Sequence, residues 1–219
     1  MMTPRVTGVL DRLHRQAKGD WLMMPKVLPY FLYSKVTGRS FMRLVTPSML
    51  KGMYIPVSRR DGLLLHALAR GTGARWIVEF GASFGISTLY LAEAVRANGG
   101  GQVTTTEIEP SKCRAAEANI REAGLQDVAA VLEGDALETL KGIDGPIDML
   151  FLDGWKDLYL PVLELVTPKL RHGAVVVADN VNMPDTKPYL EHVRNDPRFV
   201  SALLPGGRME CSWVVEWHD

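Results

Sequence analysis

Trp76-Ile77-Val78-Glu79-Phe80-Gly81-Ala82-Ser83-Phe84-Gly85-Ile86-Ser87-Thr88 is the stretch on which the fold turns. A short apolar run enters two glycines, and the helix-forming residues Leu89-Tyr90-Leu91-Ala92-Glu93-Ala94 follow. The pattern predicts a buried strand, a glycine turn and a helix start. Glycines let backbone approach a ligand closely, and a helix N-terminus offers free N–H groups. Glu79 sets the chemistry: a carboxylate at this turn suits hydroxyls or positive charge, not a phosphate. The spacing is Gly-x-x-x-Gly, not the Gly-x-Gly-x-x-Gly of dinucleotide-binding turns. A second acid, Glu107, closes the next apolar-threonine run, Val103-Thr104-Thr105-Thr106, where it would accept hydrogen bonds from ribose hydroxyls.

Downstream the chain alternates regularly. Strands fit 75–80, 102–107, 128–132, 147–152 and 173–178, and helices fit 86–97, 110–123, 136–141, 157–170 and 186–195. This is the signature of a doubly wound parallel sheet. The tail differs: Phe199 to Leu204, Gly206-Gly207, then Arg208 to Trp217 reads as an antiparallel hairpin turning at the glycines. Upstream, Ser58 followed by Asp61 predicts an N-cap, and Gly71 with Gly73 a helix stop. Residues 5–18 place Val6, Val9, Leu10 and Leu13 at helical spacing. In the apolar, aromatic stretch 21–33, Pro25 and Pro29 argue against one continuous helix. Residues 1–57 therefore read as a helical cap or lid on a main domain spanning 58–219. A dimer contact is an open alternative, and a basic-apolar surface for anionic lipid is the lesser one, because no long one-sided helix is visible.

The 219 residues hold 25 basic and 25 acidic side chains, so net charge does not call for nucleic acid. The distribution is uneven. Residues 1–51 carry nine basic side chains, Arg39 and Arg43 among them, against Asp11 and Asp20, a formal +7 balanced by −7 on the rest. Two cysteines, Cys113 and Cys211, without metal spacing suggest reduced thiols in a cytoplasmic protein. No apolar run reaches the ~18 residues of a membrane span, and no signal-peptide pattern opens the chain.

Ligands in open α/β sheets bind beyond the carboxyl ends of the strands. Each predicted strand here ends in an acid or leads into one: Glu79, Glu107, Glu133 with Asp135, Asp153, and Asp179 with Asn180. Asp135 reads equally well as the cap of the following helix. Asp153, Asp179 and Asn180 form a hard, all-oxygen set that would suit Mg²⁺.

The Glu-x-Gly-x-x-x-Gly turn with Glu107 resembles motif I and the ribose acid of class I S-adenosylmethionine-dependent methyltransferases. Thr106-Glu107-Ile108-Glu109-Pro110, Phe151-Leu152-Asp153-Gly154-Trp155-Lys156-Asp157-Leu158-Tyr159-Leu160-Pro161, Val177-Ala178-Asp179-Asn180-Val181 and Arg208-Met209-Glu210 closely resemble motifs of catechol O-methyltransferase. The resemblance runs in order from about residue 75 to 216 and leaves out the first 50 residues. It implies a Rossmann-like, mostly parallel seven-stranded sheet ending in an antiparallel hairpin. It also implies S-adenosylmethionine as cofactor, Mg²⁺ on Asp153, Asp179 and Asn180, and a small hydroxylated aromatic as acceptor. Lys156 would be the general base and Glu210 the partner of a catechol's second hydroxyl. Glu79, Gly81, Phe84 and Ser87 would line the methionine and ribose part of the cofactor, and Glu107 would hold the ribose hydroxyls. Ile108, Asp135, Ala136 and Trp155, with Asp153 beside them, would surround adenine or the substrate mouth. One departure is Gly154, where catechol O-methyltransferase carries histidine; a contact is lost and space is gained. The different, basic N-terminal segment favours an anionic phenol, such as a caffeoyl- or dihydroxybenzoate-like acid.

The chemistry is coherent. A phenol titrates near ~10, so ionising it at neutral pH costs about 4 kcal/mol, and a chelating divalent cation offsets several kcal/mol of that. Three other functions compete with this reading. They are a metal-independent methyltransferase on a non-catechol acceptor, a nicotinamide-dependent oxidoreductase, and a non-catalytic cofactor-binding or membrane-surface protein. The turn spacing and the hairpin count against the oxidoreductase.

Overall fold

A computed structural model of the chain describes residues 2–22, 24–37 and 44–215. Helices α1 (Pro4–Ala17), α2 (Met24–Thr37) and α3 (Arg59–Gly71) precede the sheet. Then strands and helices alternate: β1 (Trp76–Phe80), α4 (Ile86–Ala97), β2 (Gln102–Glu107), α5 (Pro110–Ala123), β3 (Ala129–Glu133), α6 (Ala136–Thr139), β4 (Ile147–Leu152), α7 (Tyr159–Val166), β5 (Leu170–Ala178) and α8 (Lys187–Asn195). The hairpin β6 (Phe199–Leu203) and β7 (Glu210–Val214) closes the fold. The seven strands lie in the order β3-β2-β1-β4-β5-β7-β6. The first five are parallel, while β7 runs antiparallel to both β5 and β6.

The strands are apolar on both faces because helices cover both, and the period of two sorts their side chains. Ile77, Met149, Phe151, Val175 and Val177 pack with α3, α4 and α5, whereas Val78, Phe80, Leu150, Leu152 and Val176 pack with α6, α7 and α8. Helix α1 joins the first of these cores: Val6, Val9, Leu10 and Leu13 are all buried there. Arg12 ties the same helix to Asn119 and Glu122 of α5, at 2.8 and 2.6 Å.

Local signals hold at most boundaries. Ser58 caps α3, its Oγ accepting the Asp61 N–H at 3.1 Å. Asp135 caps α6 by accepting the Leu137 N–H at 2.9 Å. The segment around the two prolines differs from expectation. Helix α2 runs through both of them, with Pro29 inside. Pro25 is its second residue, where an N–H has no intrahelical partner, so only the Pro29 position forfeits a bond. Arg39, Arg43 and Trp217 lie outside the described residues.

Candidate active site

The turn after β1 is held where three strands end. The N–H groups of Gly81 and Ala82 donate to the Thr106 carbonyl of β2, at 3.2 and 2.9 Å. Gly81 has φ +102°, and a Cβ there would stand 2.7 Å from the Gly154 Cα and N. The loops after β1 and β4 therefore touch backbone to backbone, which only glycine allows. Gly85, also left-handed at φ +83°, starts α4.

A cavity of about 390 Å³ opens above this turn, across the carboxyl ends of β1, β2 and β4. Gly81, Phe84 and Ser87 form its floor with Ser83. Glu107 stands on its β2 side, and both carboxylate oxygens are fixed by backbone: one accepts the Ser83 N–H at 2.8 Å, the other the Glu109 N–H at 2.9 Å. Ile108, 44% exposed, Asp135, Ala136 and Trp155 line the same wall. The opposite side comes from the chain before α3, through Met53, Tyr54 and Ile55. The Tyr54 ring stacks on Phe84 with centroids 3.9 Å apart. Its carbonyl accepts the Ser83 hydroxyl at 2.9 Å. Asp20 accepts the N–H groups of Tyr54 and Ile55 at 2.9 and 2.8 Å.

At the β4–β5 end, Asp153, Lys156 and Asn180 reach the cavity. The Lys156 ammonium, 6% exposed, donates to Asp153 Oδ1 at 3.0 Å and to the Tyr159 hydroxyl at 2.7 Å. Tyr159 in turn donates to the Asp179 carbonyl at 2.9 Å. The Asp179 carboxylate, 2% exposed, accepts the Asn180 N–H at 2.7 Å and an Arg208 guanidinium N–H at 3.2 Å. Asn180 takes φ +56°, a left-handed turn that asparagine tolerates. Burial raises the pKa of Asp153 to about 7, with Lys156 opposing the rise and Asp179 adding to it. Burial also raises Asp179, against the pull of Arg208. The buried carboxylate of Asp179, the half-buried one of Asp153 and the Asn180 amide are an oxygen set that fits a divalent cation, although no three Asp, Glu, His or Cys side chains converge among the described residues.

A porcine relative, catechol O-methyltransferase of Sus scrofa, is 34% identical over 151 residues, which cover 65% of this chain and 80% of that one. The chain belongs to the catechol O-methyltransferase family. A family model described as a methyltransferase domain matches residues 78–181. The catechol O-methyltransferase of Mycobacterium tuberculosis is 37% identical over 128 residues, 58% of this chain and 57% of that one. The chain thus spans little more than half the length of the mycobacterial relative, and under two thirds of several vertebrate ones. Among solved structures, an O-methyltransferase from Bacillus cereus in complex with SAH superposes with a TM-score of 0.65 at 28% identity, covering 74% of this chain and 83% of that one. The fold is that of the class I methyltransferases.

Three expectations drawn from the family change. Glu79 does not line the cavity. As an odd-numbered residue of β1 it faces α4, fully buried, and accepts the Thr88 hydroxyl on one oxygen while the other has no partner. Burial raises its pKa. Glu210 also stays away. Its neighbour Cys211 packs into the α4 core, so Glu210 points to the other face, fully buried in a bidentate pair with Arg194 of α8 at 2.8 and 2.7 Å. Gly154 gains no space, because a Cβ there would meet the Phe80 ring at 2.6 Å. Sequence reasoning passed over Tyr54, Tyr159 and Arg208, and also over Lys112, which lies 3.3 Å from the Ser83 hydroxyl on the cavity wall. Arg208 had a signal, since it opens the same motif as Glu210.

Proposed function

We propose that this protein transfers a methyl group from S-adenosylmethionine to a hydroxyl of a catechol-like small molecule, with Mg²⁺ held by Asp153, Asp179 and Asn180. The observation that carries the proposal is the buried lysine: Lys156 is held between Asp153 and Tyr159 at the cavity wall, beside the Asn180 of a second strand end. When bound, the divalent cation would favour ionisation of the acceptor hydroxyl, and S-adenosylmethionine would bring a methyl group with its own leaving group. The chain's residues do the rest. Lys156, acting as the neutral amine, would keep both hydrogen bonds through its own N–H groups and take the hydroxyl proton on its lone pair. Glu107, its carboxylate pre-oriented by two backbone donors, accepts from the ribose hydroxyls. Ile108, Ala136 and Trp155 offer apolar surface to adenine, and Gly81, Phe84 and Ser87 bound the methionine end. Residues 1–57 act as the cap, closing the far side through Met53, Tyr54 and Ile55.

Labelled methyl transfer to a panel of catechols, run with Mg²⁺ and then with EDTA, tests this reading. Transfer abolished by EDTA supports it, and no transfer with cofactor binding intact sinks the acceptor. Lys156→Met is expected to lower kcat by about 10²–10⁴-fold at unchanged cofactor affinity, the range for loss of a positioned base. A second reading, a metal-independent transferase, is favoured by one observation: Lys156 on Asp153 and Arg208 on Asp179 already balance the two carboxylates. Transfer that survives EDTA would select it. Family membership sets aside the nicotinamide-dependent alternative.

A further inference from the structure

Trp21, Leu22, Leu28, Tyr30, Leu32 and Val36 are exposed by 69%, 63%, 43%, 38%, 54% and 86%. They occupy α2 and the short turn before it, Lys18–Leu22. Among the described side chains of α2 only Val27 is buried. A helix of this length with a proline inside it is marginal in water unless packing stabilises it. Leu28, Leu32 and Val36, four residues apart, form an exposed apolar stripe along one side of α2, and exposed apolar surface of this kind marks a contact surface.

The charge of this stretch of sequence says what it meets. From Trp21 to Arg60 the chain holds no Asp or Glu, while Lys26, Lys35, Arg39, Arg43, Lys51, Arg59 and Arg60 are all basic. Lys18, Lys26 and Lys51 are exposed, whereas Arg59 is already paired with Asp11 at 2.7 Å. The nearest acid on the N-terminal side, Asp20, is taken up by two backbone N–H groups. We propose that α2 and the preceding turn dock on the surface of an anionic lipid bilayer. Apolar side chains enter the headgroup boundary, the lysines meet the acidic headgroups, and Trp21 and Tyr30 sit at the interface with their polar atoms outward. At ~1.5 Å per residue the helix is about 21 Å long, short of the ~30 Å hydrocarbon core, so it lies in the plane of the membrane and does not cross it. No helix among the described residues is long and apolar enough to span. A second copy of the chain is the poorer occupant of a symmetric contact, because it would set one acid-free basic face against another. Docking also has a consequence for the cavity: Val27 and Leu28 of α2 line it, so the membrane would lie against one of its walls.

The test is sedimentation of the full chain with vesicles of phosphatidylcholine alone and with phosphatidylserine added. Binding is expected to the anionic vesicles, weaker by about tenfold or more to the neutral ones, and to fall as salt is raised. The double variant L32E/V36E changes two exposed residues away from the cavity. It is expected to lose about tenfold or more of the vesicle binding at an unchanged far-UV spectrum and thermal midpoint. Lys26→Glu, a pure charge change, is expected to reduce the preference for anionic vesicles. Failure to bind anionic vesicles would overturn the proposal, as would binding that both variants retain. A wild-type dimer in light scattering that L32E/V36E converts to monomer would assign the face to a second copy instead.

Discussion

Gly154 shows how one position constrains its neighbours. Its missing side chain leaves room for the Phe80 ring on one side and the Gly81 backbone on the other. Phe80 then packs edge-on against Tyr159, centroids 6.4 Å apart, and Tyr159 holds Lys156. Gly154→Ala is expected to destabilise the protein by about 1–3 kcal/mol, the range for overpacking, as measured by chemical denaturation. The paired change Phe80→Leu with Gly154→Ala should recover part of the loss, and no recovery would mean that the ring is not what the new methyl meets. The cysteines give a second prediction at this scale. Burial pushes both Cys113 and Cys211 up to about 12. At pH 8 about one thiol in 10⁴ is then ionised, so a thiol reagent should label the native protein about a thousandfold more slowly than the unfolded chain. Because the folded state retains these protons, the linked stability is intact below the ordinary thiol range near ~8.5 and falls as pH rises above it. Native labelling at the unfolded rate would refute the buried-thiol account.

Among elements, the alternation of strands and helices was legible in sequence because it rests on local signals. These are apolar runs of strand length, the Ser58 cap and the glycines at the turns. The carboxyl ends of the strands were legible for the same reason, which is why Glu107, Asp153, Lys156 and Asn180 do meet at one cavity. Glu79 and Glu210 were not, since each depends on which face of its strand it takes and on a partner from another element, Thr88 or Arg194. Tyr54 was hidden too: its place on Phe84 is set by the path of the chain before α3, which no periodicity encodes. That path hangs on one side chain. Asp20 accepts two successive N–H groups and holds Ile55 at φ +43°, a left-handed conformation that costs a branched residue energy. Asp20→Ala should free this strap. We expect a stability loss of about 1–3 kcal/mol, as for charged hydrogen bonds, and several-fold weaker binding of S-adenosylmethionine by calorimetry. Asp20→Asn, which keeps one acceptor, should fall between. Unchanged affinity in the alanine variant would mean that the strap does not shape the cofactor side.

The whole molecule brings two strand ends together to confine like charge. Asp153 follows β4 and Asp179 follows β5, so their proximity is a property of the sheet order and not of either loop. Asp179 is buried and Asp153 half-buried, and desolvation raises both, which marks a site that is unfavourable when its carboxylates are ionised without added positive charge. Lys156 and Arg208 supply part of that charge, but each is tied to one acid only. A divalent cation that binds the folded chain and not the unfolded one must therefore raise stability, by about 2.7 kcal/mol at a hundred times its Kd. For a protein of this size, that corresponds to a rise in Tm of roughly 5–10 °C. Thermal unfolding in EDTA and in excess Mg²⁺ measures the difference without any assay of methyl transfer. Asp179→Asn should abolish most of the Mg²⁺-dependent rise while leaving the EDTA midpoint near or above that of the wild type, because it removes one of the two repelling charges. Arg208→Gln should act in the opposite sense, lowering the EDTA midpoint and enlarging the rise, since the cation then provides charge that the guanidinium no longer does. If Mg²⁺ leaves the wild-type midpoint unmoved, the two carboxylates are balanced by Lys156 and Arg208 alone, and the metal-independent reading gains the site.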